Sequence, residues 1–182
     1  TNTLHVDATN NRVGIGLTAP QVPLHLDGAN TRIQFTAPDT GSAAGDGVIL
    51  GLNGDEDFFI NNRESGKNLS FFTANSERMR IDSSGRLLVG HTTALTTEGV
   101  FRQQLVGTDF ATSGSAQFRF DSGSSGPTIA LCHSKNSTKG SHTILNDADE
   151  FGKIRFYGSD GSDFSQFGAE IRAIVNGTPG SN

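Results

Sequence analysis

The strongest constraint on what this chain can fold into is a short phrase that recurs along it. Leu4-His5-Val6-Asp7, Leu24-His25-Leu26-Asp27 and Met79-Arg80-Ile81-Asp82 each place apolar side chains at alternate positions and stop at Asp. Alternation of period two marks a strand, because neighbouring side chains on a strand point to opposite faces. After the first and third phrases come turn residues, Ala8-Thr9-Asn10-Asn11 and Ser83-Ser84-Gly85, and then a second apolar strand, Val13-Gly14-Ile15-Gly16 or Leu87-Leu88-Val89-Gly90. One hairpin is therefore present twice, about 75 residues apart.

A second repeat has an offset of about 85 residues. Phe35 matches Phe120, Gly41 matches Gly126, Asn61 matches Asn146, and Leu69-Ser70-Phe71-Phe72 matches Ile154-Arg155-Phe156-Tyr157. The expected order is a hairpin segment at 1–28, a first β module at 29–82, a second hairpin segment at 83–100 and a second module at 101–182. Gly, Asp and Asn clusters divide the first module into strands near 31–36, 47–53, 57–62, 68–73 and 77–82. In the second module a strand is expected at 169–175, after a turn at Gly158 to Ser162. The chain opens at Thr1 without Met. A fragment or processed chain is expected, with the second module incomplete.

Composition agrees with an all-β reading. Gly is 23 of 182 residues, and with Ser, Thr, Asn and Asp it makes up nearly half the chain, residues that favour turns, caps or strands over helix interiors. A helical bundle is excluded. Thirteen Phe and thirteen Leu separate the chain from disordered and collagen-like compositions. The net charge of −5 and the dispersed Arg and Lys residues give no footprint for a nucleic-acid backbone. No apolar run is long enough for a membrane helix, so neither nucleic acid nor membrane insertion is expected. A lone Cys132 excludes an internal disulfide and leaves the redox compartment open.

The apolar strands look too thin to close cores alone. A two-stranded hairpin is marginal in water, and the first module has 14 large apolar residues among 54. Leu4, Val6, Leu24, Leu26, Met79 and Ile81 are therefore expected to face other copies of the chain, with His5, His25 and Arg80 on the opposite face.

No constellation of residues carries chemistry. Gly14-Ile15-Gly16-Leu17-Thr18-Ala19 has the bare spacing of a dinucleotide fingerprint, but Pro20 and Pro23 remove the helix that would receive a pyrophosphate. The glycines are expected to let strands approach closely. Asn53, Asp55, Asp57 and Glu64 fall at positions 1, 3, 5 and 12 of a calcium loop, yet Phe58 stands where that loop requires Gly. A polar hairpin turn is the simpler reading, with a cation site as the weak alternative. The acidic residues Asp147, Asp149, Glu150, Asp160 and Asp163 also read as turns. Cys132 and His133 are adjacent, so on a strand they point apart and form no dyad. No catalytic residue, cofactor or metal is expected.

Glu77-Arg78-Met79-Arg80-Ile81-Asp82-Ser83-Ser84-Gly85, followed by Leu88-Val89-Gly90 and Thr92, resembles the ERMRIDSSGNVGIGTTSP phrase repeated in tail fibres and related virion appendages of tailed bacteriophages. Arg12 to Pro20, then Pro23-Leu24-His25-Leu26, is similar to the same phrase running on into its next strand. Hairpin two departs from it, with Arg86-Leu87-Leu88 in place of N-V-G and His91 in place of Thr. The resemblance implies an elongated homotrimeric β fibre in which interchain hairpin or shaft segments alternate with β-sandwich or β-prism-like modules. It also implies an extracellular place on the virion, contacts with other tail or fibre proteins, and a part in attachment to a host-surface glycan or protein. Receptor contact is expected in two long polar loops, Asp39 to Gly47 (with Asp46) and Ser134 to His142 (with Lys135, Asn136 and Lys139). The alternatives are a fibre-borne polysaccharide depolymerase and a bacterial surface filament or adhesin.

Overall fold

The computed structural model describes residues 3–177. Thr1, Asn2 and positions 178–182, at the outer ends of the first hairpin segment and the second module, lie outside the described residues. Over these residues the fold is all-β, built from several small sheets, some mixed and some antiparallel, and one helical turn.

The first sheet joins β1 (His5–Asp7), β2 (Arg12–Ile15) and β3 (Leu24–Leu26). β1 and β2 form the expected antiparallel hairpin, with Val6 opposite Val13. β3 then adds in parallel, Val13 opposite Leu24 and Ile15 opposite Leu26. The connection between β2 and β3 is shorter than the crossover parallel strands usually need. It is held by the buried Pro20, whose carbonyl accepts a 2.8 Å bond from the Arg12 guanidinium.

Antiparallel β4 (Arg32–Phe35), β5 (Val48–Leu52) and β6 (Phe58–Asn62) make the second sheet, with Phe35 opposite Val48 and Leu50 opposite Ile60. β7 (Leu69–Thr73) turns into β8 (Ser76–Ile81) through Ala74 and Asn75. Both have positive φ, 49° and 58°, the pair of signs a type I′ hairpin turn requires. β9 (Leu87–Val89) lies beside β8, and β10 (Gln103–Leu105) adds in parallel to β9.

The β9–β10 pairing reproduces that of β2 and β3 in detail. The β2 N–H of Val13 bonds the Pro23 carbonyl at 2.8 Å, and the β9 N–H of Leu87 bonds the Arg102 carbonyl at 2.7 Å. At the other end, Asp27 N–H bonds Ile15 O at 2.8 Å and Val106 N–H bonds Val89 O at 2.9 Å. Gly16 and Gly90 close the two strands with φ of 90° and 79°. A Cβ at either would run into a carbonyl oxygen, that of Asp27 or of Val106.

After β10 come α1 (Phe110–Ser113), one turn capped by Asp109 and Thr112, and a long irregular stretch. The last sheet is the antiparallel ribbon of β11 (Glu150–Tyr157) and β12 (Phe167–Ile174). β11 starts earlier than its sequence suggests. Glu150, expected in a turn, is its first residue and lies opposite Ile174.

The chain divides into two compact units, one running to Phe71 with Arg80–Gly85, the other comprising Phe72–Met79 and the chain from Arg86 onward. Among the described residues, Ile49 is the buried large aliphatic of the first unit, and Leu88, Leu145 and Val175 are those of the second. The chain exposes 13935 Å² in all. A compact protein of 19.2 kDa exposes about 8,400 Å², and two separate compact globules of half that mass about 10,200 Å² together.

Candidate functional site

The two polar loops expected to make contact are braced by side-chain-to-backbone bonds, some from within the loop and some from residues outside it. In the β4–β5 loop the Thr40 hydroxyl accepts from Ala37 N–H at 2.8 Å, and the Asp46 carboxylate accepts from Ala43 N–H at 2.7 Å. The Gln34 side-chain amide donates to the carbonyls of Ala43 and Asp46, both at 2.8 Å, and Arg63 donates to Ala44 O. Asp39 is exposed and Asp46 half-buried. In the second loop, Ser134 Oγ accepts from Thr143 N–H at 2.9 Å, and Asn136 Oδ1 accepts from Thr138 N–H at 2.9 Å. Lys135 forms an ion pair with Asp149 at 2.9 Å, while Lys139 and His142 are exposed.

The calcium-like set is not brought together. Asn53 Oδ1 accepts from the N–H groups of Asp55 and Asp57, both at 2.9 Å, which makes the polar hairpin turn between β5 and β6. Glu64 lies beyond the far end of β6, where its carboxylate accepts a 2.5 Å bond from Gly47 N–H. Among the described residues no three His, Cys, Asp or Glu side chains are placed to hold a metal ion.

The Asp residues of the second module mostly do cap turns. Asp149 accepts from Asn146 N–H at 2.6 Å, and Asp160 from the N–H groups of Ser162 and Asp163. Those bonds hold both carboxyls below the usual range, helped at Asp149 by the Lys135 ammonium. Cys132 is exposed, and His133 Nδ1 lies 2.7 Å from the Glu150 carbonyl oxygen.

Of the residues expected between copies, Leu4, Val6, Leu24 and Ile81 are exposed, and Leu26 and Met79 are half-buried. His5, His25 and Arg80 are half-buried, and His25 Nδ1 accepts from Gln21 N–H at 3.3 Å.

One group of residues was not singled out from sequence. On one face of the β11–β12 ribbon, Arg155 bonds Glu170 at 3.0 Å, reaches Glu98, and lies 4.3 Å from the centre of the Phe167 ring. Burial works against its charge, but bonds to Glu170 and Tyr157 outweigh it and lift the guanidinium above its ordinary pKa. Lys153 pairs with Glu150 at 3.1 Å, and Arg172 with Glu170 at 3.4 Å. A groove of about 560 Å³ runs past these residues, lined by Thr97, Phe101, Lys153, Arg155 and Tyr157 among others. Its sequence signal is period two: Lys153, Arg155 and Tyr157 alternate with Ile154 and Phe156. The opposite ribbon face is apolar and exposed, with Ile154 (48%) directly across from Ile171 (65%).

No protein family, curated protein or solved structure matches this chain.

Proposed function

We propose that this chain is a structural segment of a homotrimeric, elongated β fibre, a phage tail fibre or similar extracellular virion appendage that supports or mediates attachment to a host surface. The observation that carries the reading is the surface left uncovered. The chain exposes 13935 Å², about 3,800 Å² more than two separate compact globules of its total mass would. Much of the uncovered surface is apolar and lies on strands: Leu4, Val6 and Leu24 on or beside the first sheet, Ile33 and Phe35 on β4, Ile154 and Ile171 on the ribbon. Large apolar side chains left bare along strands mark surfaces that meet a partner. Copies of the same chain supply the simplest closed arrangement.

The braced loops at Asp39 to Gly47 and Ser134 to His142 suit contact with a host glycan or protein. Their backbones are ordered without partners, and their polar side chains reach solvent. A depolymerase would require two carboxylates; Glu98 lines the groove on the ribbon, and Glu170 meets the same Arg155. Both are tied to Arg155, which favours a structural ion-pair cluster.

Light scattering at micromolar concentration is expected to return about 58 kDa, three chains of 19.2 kDa. A 19.2 kDa particle overturns the trimer. Deleting either polar loop should leave the assembled mass unchanged and reduce host adsorption. Adsorption that survives both deletions moves the receptor contact elsewhere and leaves this segment a supporting role. Release of reducing sugar from host envelope polysaccharide overturns the non-enzymatic reading.

A further inference from the structure

The two modules follow one plan, but only the first completes its opening sheet. Gln117-Phe118-Arg119-Phe120 has the alternation of Arg32-Ile33-Gln34-Phe35, which forms β4. After a connection of 7 residues in place of the 12 between β4 and β5, Thr128-Ile129-Ala130-Leu131-Cys132 stands where Val48 to Leu52 forms β5. The Asn136 turn repeats the side-chain-to-backbone bond of Asn53, and Ile144-Leu145-Asn146 stands where Phe59-Ile60-Asn61 lies in β6. In the first module β4 and β5 pair over four positions. In the second, residues 116–120 and 128–132 belong to no strand ladder among the described residues.

The side chains on these two segments are correspondingly bare. Phe118 and Phe120 are 79% and 92% exposed, their rings stacked only on each other at 6.3 Å. Ile129 is 72% and Leu131 51% exposed. An extended apolar segment with unpaired backbone groups is a template for strand pairing.

We infer that residues 116–120 of one copy pair antiparallel with residues 128–132 of a second copy, in the register that β4 and β5 keep within the first module. The inference rests on the trimer reading above and names the contact that builds it. The chain carries both complementary halves, so copies arranged head to tail satisfy each other, and three of them form a closed ring when the rotation between neighbours is a third of a turn. A foreign partner supplying one strand would leave the other half empty. The 128–132 segment is already seated in its own chain, since a Cβ on Gly152 of β11 would come within 2.8 Å of Leu131 Cβ. It can therefore act as a fixed acceptor, while 116–120 is the bare donor.

The register gives a direct test. Phe35 pairs with Val48, so Phe120 should pair with Thr128, and Ala116 should stand opposite Cys132. In an Ala116→Cys variant, mild oxidation should link copies through Cys132 and give covalent dimers and trimers on a non-reducing gel, abolished by Cys132→Ser. A disulfide confined to single chains overturns the inference, because the pairing would then be internal. No disulfide in a particle that still scatters as a trimer also overturns it and leaves the trimer standing, whereas a 19.2 kDa particle before oxidation removes the trimer itself. Should the variant fail to assemble, amide exchange in the wild-type particle decides. Slow exchange at 117–120 supports the pairing, and free exchange there, in a particle of trimer mass, overturns it.

Discussion

At the scale of single residues, backbone conformation and carboxylate turns carry most of the local specificity. Gly16 and Gly90 combine left-handed φ with a carbonyl oxygen where a Cβ would sit, whereas Gly66 has φ of 72° and nothing near its Cβ position. Gly16→Ala and Gly90→Ala should each cost at least about 2 kcal/mol, and Gly66→Ala about 1 kcal/mol, compared by denaturant melts. Equal losses at all three would show that the close carbonyls are irrelevant. Asp7, whose carboxyl is bonded by the Asn10 side chain and N–H, and Asp109, bonded by Thr112, join Asp149 and Asp160 in having lowered pKa values. A carboxyl whose folded pKa lies below its unfolded one contributes stability that is complete above about pH 4 and is lost as pH falls through the folded value. Melting temperature should therefore be insensitive to these groups from about pH 5 to 8 and fall as pH drops from about 4 to 2. A rise on acidification would contradict the assignment.

Individual elements show where sequence was enough. Every strand of the first module lies within a residue or so of its expected bounds, because alternation and the Gly, Asp and Asn breaks around it are local signals. The hairpin repeat was legible for the same reason. Strand direction was not: period two is the same in parallel and antiparallel strands, so nothing in Leu24 to Leu26 announces that β3 runs parallel to β2. β10 was missed because Gln103-Gln104-Leu105 has almost no apolar alternation and is ordered by pairing with β9. Glu150 resembled its acidic neighbours until β12 gave it a strand partner. The polar loops were legible from composition. The Arg155 cluster was not, since its members come from three separated stretches. Arg155→Ala should lower the denaturant midpoint of the ribbon, and Arg155→Lys should recover little of that, because an ammonium cannot bond both Glu98 and Glu170 in the guanidinium's planar fork. Full rescue by Lys would reduce the cluster to simple charge balance.

For the whole molecule, exposed strand positions distinguish a self-sufficient monomer from an assembled one. Ile171 is 65% and Ile81 43% exposed in the single chain. In a monomer, Ile171→Asp or Ile81→Asp would change stability by no more than about 0.5 kcal/mol, as at ordinary surface sites. In a trimer closed through these faces, either should bring the particle from about 58 kDa toward the 19.2 kDa chain. Unchanged mass in both variants would place the contacts on other surfaces.

The order of strands within the sheets bears on how such a protein is made. Each sheet contains only consecutive strands, β1 to β3, β4 to β6, β7 to β10, and β11 with β12. Pairings this local close small loops, so each sheet can form as soon as its own stretch leaves the ribosome, without waiting for distant chain. If copies associate as proposed, their meeting is the slow event, and recovery from denaturant should then quicken as protein concentration rises, while strand content returns early and at a rate independent of concentration. Lengthening the protein by further repeats would add sheets without slowing any of those already present.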